Sequence, residues 1–180
     1  MATIRIKLEI EPVLRSMRRL GTGLAEKAIK RSLNRTITGV RTAASRSVRQ
    51  HLTLKAKDVN KELSVRRANT RTLSAAVDIQ ATAVGLIKFR ARATRRKGVT
   101  VQVKKRGGRK QVPNAFIRTM DSGHRGVFVR RGLARLPIRE LLSTSVQQYL
   151  KDDEVLNPLQ RYANERFTRD LTKNVEFLLR

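Results

Sequence analysis

Between Asp78 and Asp121 the chain holds no acidic residue, while twelve Lys or Arg fall inside the same window. The window contains Arg95-Arg96-Lys97, Lys104-Lys105-Arg106 and Arg109-Lys110, with Gly98, Gly107 and Gly108 between them. A folded domain cannot bury that much unpaired charge, so this stretch must be surface, facing water, a polyanion or an acidic protein. The bias extends to the whole chain, where 41 Lys and Arg against 14 Asp and Glu give a net charge of +27. A free monomer repels itself at that charge, which points to binding or assembly before it points to chemistry.

With 180 residues the chain suits one domain with extensions. The 39% hydrophobic content is too high for a wholly disordered basic tail. With five Phe, two Tyr and no Trp, the core must be built from Val, Ile, Leu and Ala. The absence of cysteine excludes disulfides and thiolate metal sites and fits a reducing compartment. No apolar run approaches the roughly 20 residues that span a bilayer, and the alternating start lacks a signal-peptide pattern. No membrane partner is expected, and synthesis in the cytoplasm is.

Periodicity sorts the chain into a helical front, a β-rich middle and a helical end. Ile4, Ile6, Leu8 and Ile10 alternate with Arg5, Lys7 and Glu9, a strand pattern. Pro12 and then Val13, Leu14, Met17 and Leu20 read as a short helix, broken at Gly21-Thr22-Gly23. Leu24, Ala28, Ile29, Leu33, Ile37, Val40, Ala44, Val48 and Leu52 form one helical stripe, roughly 43 Å long at 1.5 Å per residue. Gly39 and the Thr36/Thr38 pair weaken its middle, where a kink would fall. The other side of this helix carries Lys27, Lys30, Arg31, Arg35, Arg41, Arg46 and Arg49, opposed by Glu26 alone. A short helix is expected at 55–63.

Beyond residue 63 the spacing predicts strands near 73–80, 85–92, 98–105, 110–112, 115–120 and 126–130. The alternation Val99-Thr-Val-Gln-Val103 runs into Lys104-Lys105-Arg106-Gly107-Gly108-Arg109, a hairpin with a basic, mobile tip whose glycines supply positive φ. Asp121 to Gly126 reads as a second turn. After Pro137, Ile138, Leu141, Leu142, Val146 and Leu150 suggest a helix. Asn157-Pro158 is expected to cap another, carrying Leu159, Tyr162, Ala163, Phe167, Leu171 and Val175. Acidic residues return here, so these helices suit subunit contacts, with Leu141, Leu142, Val146, Leu150, Tyr162 and Phe167 as interface candidates. The expected class is α+β: a long amphipathic helix packed on a small antiparallel sheet with a protruding basic hairpin, then C-terminal helices. One domain over 1–150, with its helix at about 24–52 and its sheet at about 64–130, would precede a helical extension over 151–180.

No catalytic set emerges. His51 and His124 are the only histidines, and no carboxylates stand at useful spacing to complete a metal site with either. His124 in its glycine-rich turn reads as a hydrogen-bonded turn residue. Ser122-Gly-His124 lacks the glycine pattern of a nucleophile elbow, and Gly21-x-Gly23 lacks both the third glycine and the preceding strand of a dinucleotide fold. Asp152-Asp153-Glu154 reads as a solvated acidic helix end rather than a cation site. No cofactor is implied. Phe89 and Phe116, the aromatics in the basic window, read as core, which argues against single-strand stacking. The charge therefore suits sequence-independent contact with a phosphate backbone or docking on acidic proteins, through Arg95, Arg96, Lys97, Lys104, Lys105, Arg106, Arg109 and Lys110, or through the basic helix face.

Several segments resemble one family in their order and spacing. They are Ser32-Leu-Asn-Arg-Thr-Ile-Thr-Gly-Val-Arg-Thr-Ala-Ala-Ser-Arg46, Leu54-Lys-Ala-Lys-Asp-Val-Asn60, Val112-Pro-Asn-Ala-Phe-Ile117, Gly126-Val-Phe-Val-Arg130 and Leu136-Pro-Ile-Arg-Glu-Leu-Leu142, followed by Ser145-Val146. Over about residues 24–150 the chain resembles the minor tail protein Z (tail completion) family of lambda-like phages and prophages. The resemblance implies a structural virion protein added late at the head-proximal end of the tail, at the neck. It implies a homo-oligomeric ring, a hexamer or dodecamer, around the DNA conduit. Tail terminator, tail tube and head-connector proteins would be its partners, with DNA touched through non-specific backbone contacts. The competing reading from composition is a sequence-independent nucleic-acid-binding protein of ribosomal or nucleoid type.

Overall fold

The computed structural model of the chain describes residues 22–95 and 98–178. The expected strand over 3–10, the helix from Pro12 to Leu20, and Arg96 and Lys97 lie outside the described residues. The elements begin with α1 (Thr22–His51) and α2 (Ala56–Lys61), then β1 (Leu63–Arg66), β2 (Ala76–Ile79) and β3 (Val84–Gly85). A 3-10 turn at Leu86–Lys88 leads to β4 (Arg92–Thr94), β5 (Gly98–Val101), β6 (Lys110–Val112), β7 (Ala115–Thr119) and β8 (Arg125–Arg130). Strands β9 (Ile138–Glu140) and β10 (Leu142–Ser143) and helices α3 (Val146–Leu150) and α4 (Asp153–Leu178) complete the chain. The class is α+β, with a long first helix, small antiparallel sheets and C-terminal helices. The described residues fall into two compact units, one of 22–45, 63–80 and 150–178, the other of 46–62 and 81–149.

Helix α1 runs 30 residues, about 45 Å, because its apolar stripe never breaks. Ala28, Ile29, Leu33, Ile37, Val40, Ala44, Val48 and Leu52 are all buried, whereas Leu24 at the start of the stripe is exposed. Ser32 and Thr38 return their hydroxyls to the carbonyls of Ala28 and Asn34 at 2.8 and 2.9 Å, which satisfies both inside the helix. Helical assignment continues through Gly39 without interruption. That glycine serves packing instead: a methyl group there would lie 2.6 Å from the Arg166 guanidinium carbon.

In the first unit α4 runs antiparallel to α1, joined to it by polar groups. Asn174 Nδ2 donates to Ser32 Oγ at 2.7 Å, and Thr36 Oγ1 donates to Asp170 Oδ2 at 3.5 Å. Arg166 lies over Gly39. Each step of about four residues along α1 thus matches an opposite step along α4. Asp170 is 6% exposed at its side chain and is flanked by Arg35 Nε at 3.7 Å and Arg166 Nε at 3.4 Å. The hydrogen bond from Arg166 to Tyr162, acting against burial, raises the Arg166 guanidinium above its ordinary value, so it stays charged at any working pH. On another face of α1, Asn34 binds Ala68 twice, donating to its carbonyl at 3.0 Å and accepting its N–H at 2.8 Å. Arg41 Nε donates to the Leu63 carbonyl at 3.0 Å. These bonds hold the β1–β2 hairpin, whose register runs from Leu63↔Ile79 to Arg66↔Ala76.

The second unit contains two three-stranded antiparallel sheets, β4-β5-β6 and β7-β8-β9, and the pair β10-β3. Val99, Val101, Ala115 and Val127 form its buried cluster, with Leu86, Ile87, Val112, Ile117 and Leu141 against it. Gly98 has φ of +83°, and a side chain there would run into the Val112 carbonyl, so the β5–β6 pairing requires glycine at this point.

Three expectations fail locally. The stretch 85–92 is not a strand, because the 3-10 turn and Arg90 at φ of +51° bend it. No helix starts at Ile138. Residues 138–140 pair with β8 and Leu142–Ser143 with β3, so an available strand edge outweighs the helical spacing of Ile138, Leu141 and Leu142. Helix α3 begins at Val146, with Ser145 Oγ accepting the Gln148 N–H at 3.1 Å. Finally, Asn157-Pro158 is not a helix start. The helix begins at Asp153 and contains Pro158, because Asp152 caps it by accepting the Glu154 N–H at 3.2 Å.

Replacing Gly98 by Ala is expected to destabilise the protein by about 1–3 kcal/mol in urea unfolding. Asp170→Ala, which takes the carboxylate from the partly buried Arg166 and from the Thr36 hydroxyl, is expected to cost about 3 kcal/mol by the same measurement.

Candidate anion-binding surface

The second unit holds 22 of the 41 Lys and Arg but only 4 of the 14 Asp and Glu, so it carries +18 of the net +27. Two of those four acids are paired within it, Asp58 with Lys88 at 3.4 Å and Glu140 with His124 at 3.0 Å. Glu62 is buried, with Oε2 making no hydrogen bond among the described residues, and Asp121 is exposed. Pairing inside the unit therefore leaves most of the positive charge uncompensated.

The chain concentrates part of this charge around one groove of about 920 Å³. The end of α1 contributes Arg46 and Arg49, and the segment before α2 contributes Lys55. Lys88 and Arg90 come from the bend before β4, and Lys105 and Arg125 complete the lining. Leu54, Ala56, Ile87 and Ala91 supply apolar lining among these cations. Arg49 Nε is buried and has no hydrogen-bond partner among the described residues. An aliphatic lining carrying seven cations and one already paired carboxylate is suited to an anionic guest with some apolar surface.

The basic hairpin is present between β5 and β6, and its root is tied down. Lys105 donates its backbone N–H to the His51 carbonyl at 2.7 Å, and Thr53 donates its own to Val103 at 3.0 Å. Thr53 Oγ1 donates to the Gln102 carbonyl, and Leu52 bridges Lys104. The end of α1 thus anchors the hairpin, leaving Arg106-Gly107-Gly108 as its tip, with φ of +128° and +69° at the two glycines. Arg109 is not a free cation. Its Nη2 donates to the Arg90 carbonyl at 2.6 Å and to Thr100 O at 3.2 Å, fastening β6 to the bend.

Lys104, Lys105, Arg106 and Lys110 are exposed, as is Arg95. Arg95 stands at the opposite end of β5 from Lys104–Lys110, because consecutive antiparallel turns fall at opposite strand ends. Arg95 therefore does not belong to the hairpin that carries Lys104–Lys110. Arg95 instead lines a recess with Asn114, Phe116 and Arg130. Phe116 is only partly buried there, with the Arg130 guanidinium 5.5 Å over its ring, whereas Phe89 is core. On α1, Lys27, Arg31, Arg35 and Arg46 are exposed, and Lys30, Arg41 and Arg49 are half-buried. Arg35 and Arg41 already serve the first unit through Asp170 and Leu63.

Of the subunit-contact residues expected from sequence, Val146 and Leu150 are 0% exposed and Phe167 is 2% exposed, so they belong to the chain's own cores. Leu141 packs on the Val99 cluster, and Tyr162 is half-buried beneath Arg166. Leu142, 53% exposed, is the one of the six that stays open. The groove itself is not legible as a motif. Its cations lie as far apart as Arg46 and Arg125, and of the seven only Arg46, Arg49 and Lys105 stand out in the sequence as contact candidates. Arg109→Ala is expected to leave the fold intact and to speed amide hydrogen exchange in β5 and β6 by roughly tenfold, the loss of about 1.4 kcal/mol of local protection.

No helix among the described residues is long and apolar enough to cross a membrane. Neither a curated protein nor a solved structure matches the chain. The family described as Prophage minor tail protein Z (GPZ) matches residues 9–180, extending the resemblance through the C-terminal helix that the shorter motifs did not reach. The chain therefore belongs to the prophage minor tail protein Z family and is a structural component of a phage tail.

Proposed function

We propose that this protein completes the head-proximal end of the tail, forming a ring around the DNA conduit and making the tail competent to join a filled head. The observation that carries the reading is the +18 of the second unit, in which 4 Asp and Glu face 22 Lys and Arg. Several copies of such a unit in one ring would repel each other strongly unless phosphates or acidic neighbours compensate them. A conduit filled by a polyanion is such a setting. The exposed cations of the hairpin root and tip, Lys104, Lys105, Arg106 and Lys110, face the DNA or acidic tail and connector proteins in this reading. Contact through them is to backbone charge and needs no base recognition.

Electron cryomicroscopy of the virion neck tests the placement directly. The expected result is a ring of this chain between the head connector and the tail tube; a well-resolved neck without it removes the proposal. Reversing charge at the hairpin (Lys104→Glu, Arg106→Glu and Lys110→Glu together) is expected to yield tails that fail to join heads, scored by particle counts and infectivity. Joining at wild-type yield would show that the hairpin has no part in it.

A further inference from the structure

The start of α4 has the chemistry that the groove of the second unit lacks. Asp153 and Glu154 are exposed on the first turn, followed directly by the half-buried Val155 and Leu156. Among the described residues no cation pairs with Asp152, Asp153 or Glu154, although the chain carries 41 Lys and Arg. Asp152 Oδ1 is occupied by the helix cap, which leaves the other two carboxylates free to meet a partner. The groove offers the complementary set: exposed Arg46 and Lys55, a buried Arg49 Nε without a partner among the described residues, and aliphatic lining from the half-buried Ile87 and Ala91.

We infer that the groove receives the acidic start of α4 from a second copy of this chain. The inference rests on the ring reading above and specifies how neighbouring copies are joined. A duplex fits the groove less well than an acidic segment does. A phosphate backbone is uniformly polar and gains nothing from the aliphatic residues, whereas Val155 and Leu156 of a neighbour can cover them. Carboxylates brought against arginine in a partly desolvated groove make strong charge-assisted hydrogen bonds and relieve the groove's own cation repulsion. The donor segment and the acceptor groove are different surfaces, which is what a head-to-tail contact requires. Such contacts propagate into closed rings when the rotation closes and into filaments when it does not. The same complementarity makes the association sensitive to salt.

Sedimentation velocity of the purified full chain, across a range of salt, tests the contact. Wild type is expected to self-associate at moderate salt, where the +27 of each copy is screened, and to weaken again at high salt, where the ion pairs of the groove are screened too. Arg46→Glu with Lys55→Glu, and separately Asp153→Lys with Glu154→Lys, are each expected to weaken self-association at least about tenfold, a loss of about 1.4 kcal/mol. A chain carrying all four changes is expected to recover it. Circular dichroism checks folding. If lysines at the helix start melt α4, Asp153→Asn with Glu154→Gln, which keep the Asp152 cap, must still weaken association. A wild type that stays monomeric, a one-sided reversal that leaves assembly unchanged, or a fourfold variant no better than its parents each overturns the contact. So does a groove reversal that lowers duplex DNA binding and leaves assembly untouched, because the groove would then belong to nucleic acid. A neck that lacks this chain would remove the proposed function without touching these solution results. A neck ring whose subunit contacts avoid the groove would remove the contact and leave the function.

Discussion

The apolar stripe of α1 is buried from Ala28 onward. From Ala28 to Ala44 the buried face of α1 belongs to the first unit, and Val48 and Leu52 belong to the second. The stripe leaves the remaining faces of α1 free for polar work. Asn34 and Arg41 hold backbone groups of the β1–β2 region, Ser32 and Thr36 meet α4, and the end of the helix holds the hairpin root through His51, Leu52 and Thr53. Burial of the stripe supplies the main driving force, and these hydrogen bonds fix which segment lies on which face.

The units differ in how they treat charge. In the first, two acids serve as partners: Asp170 draws in Arg35 and Arg166, and Asp78 grips Arg66 at 2.6 and 3.0 Å. In the second, acids are too few to serve the cations around them. A unit of this kind folds because its core is a small dry cluster of Val99, Val101, Ala115 and Val127, while its charged side chains stay in water. The cost is self-repulsion, which an assembly partner or a polyanion relieves.

Anchoring and exposure are separated within the hairpin. Backbone bonds from the end of α1 immobilise Lys104 and Lys105 at the root, and Arg109 crosses β5 to the Arg90 carbonyl. Only the short glycine tip is left without such ties. Charges presented on a fixed root lose little conformational entropy on meeting a partner, in contrast to a long flexible arm.

Much of this protein is readable along the chain. The stripe of α1, the Val99 alternation, the double-glycine tip and the turn at Asp121 all follow from local rules of spacing and positive φ, and the charge excess follows from composition. Family membership follows from the order of the motifs. Other features depend on residues that meet only in three dimensions. Ile138 to Ser143 carries helical spacing, yet it completes sheets because β8 and β3 offer unpaired edges. Gly39 reads as a weak point of the helix and is instead the place where Arg166 fits. Arg95 and Lys104 are close in sequence but stand at opposite ends of β5, while Arg46 and Arg125 are far apart in sequence and line one groove. Periodicity reports which side of an element is apolar and composition reports how much charge needs a partner. Strand pairing and side-chain packing decide where that charge gathers, because those contacts join residues that no local pattern connects.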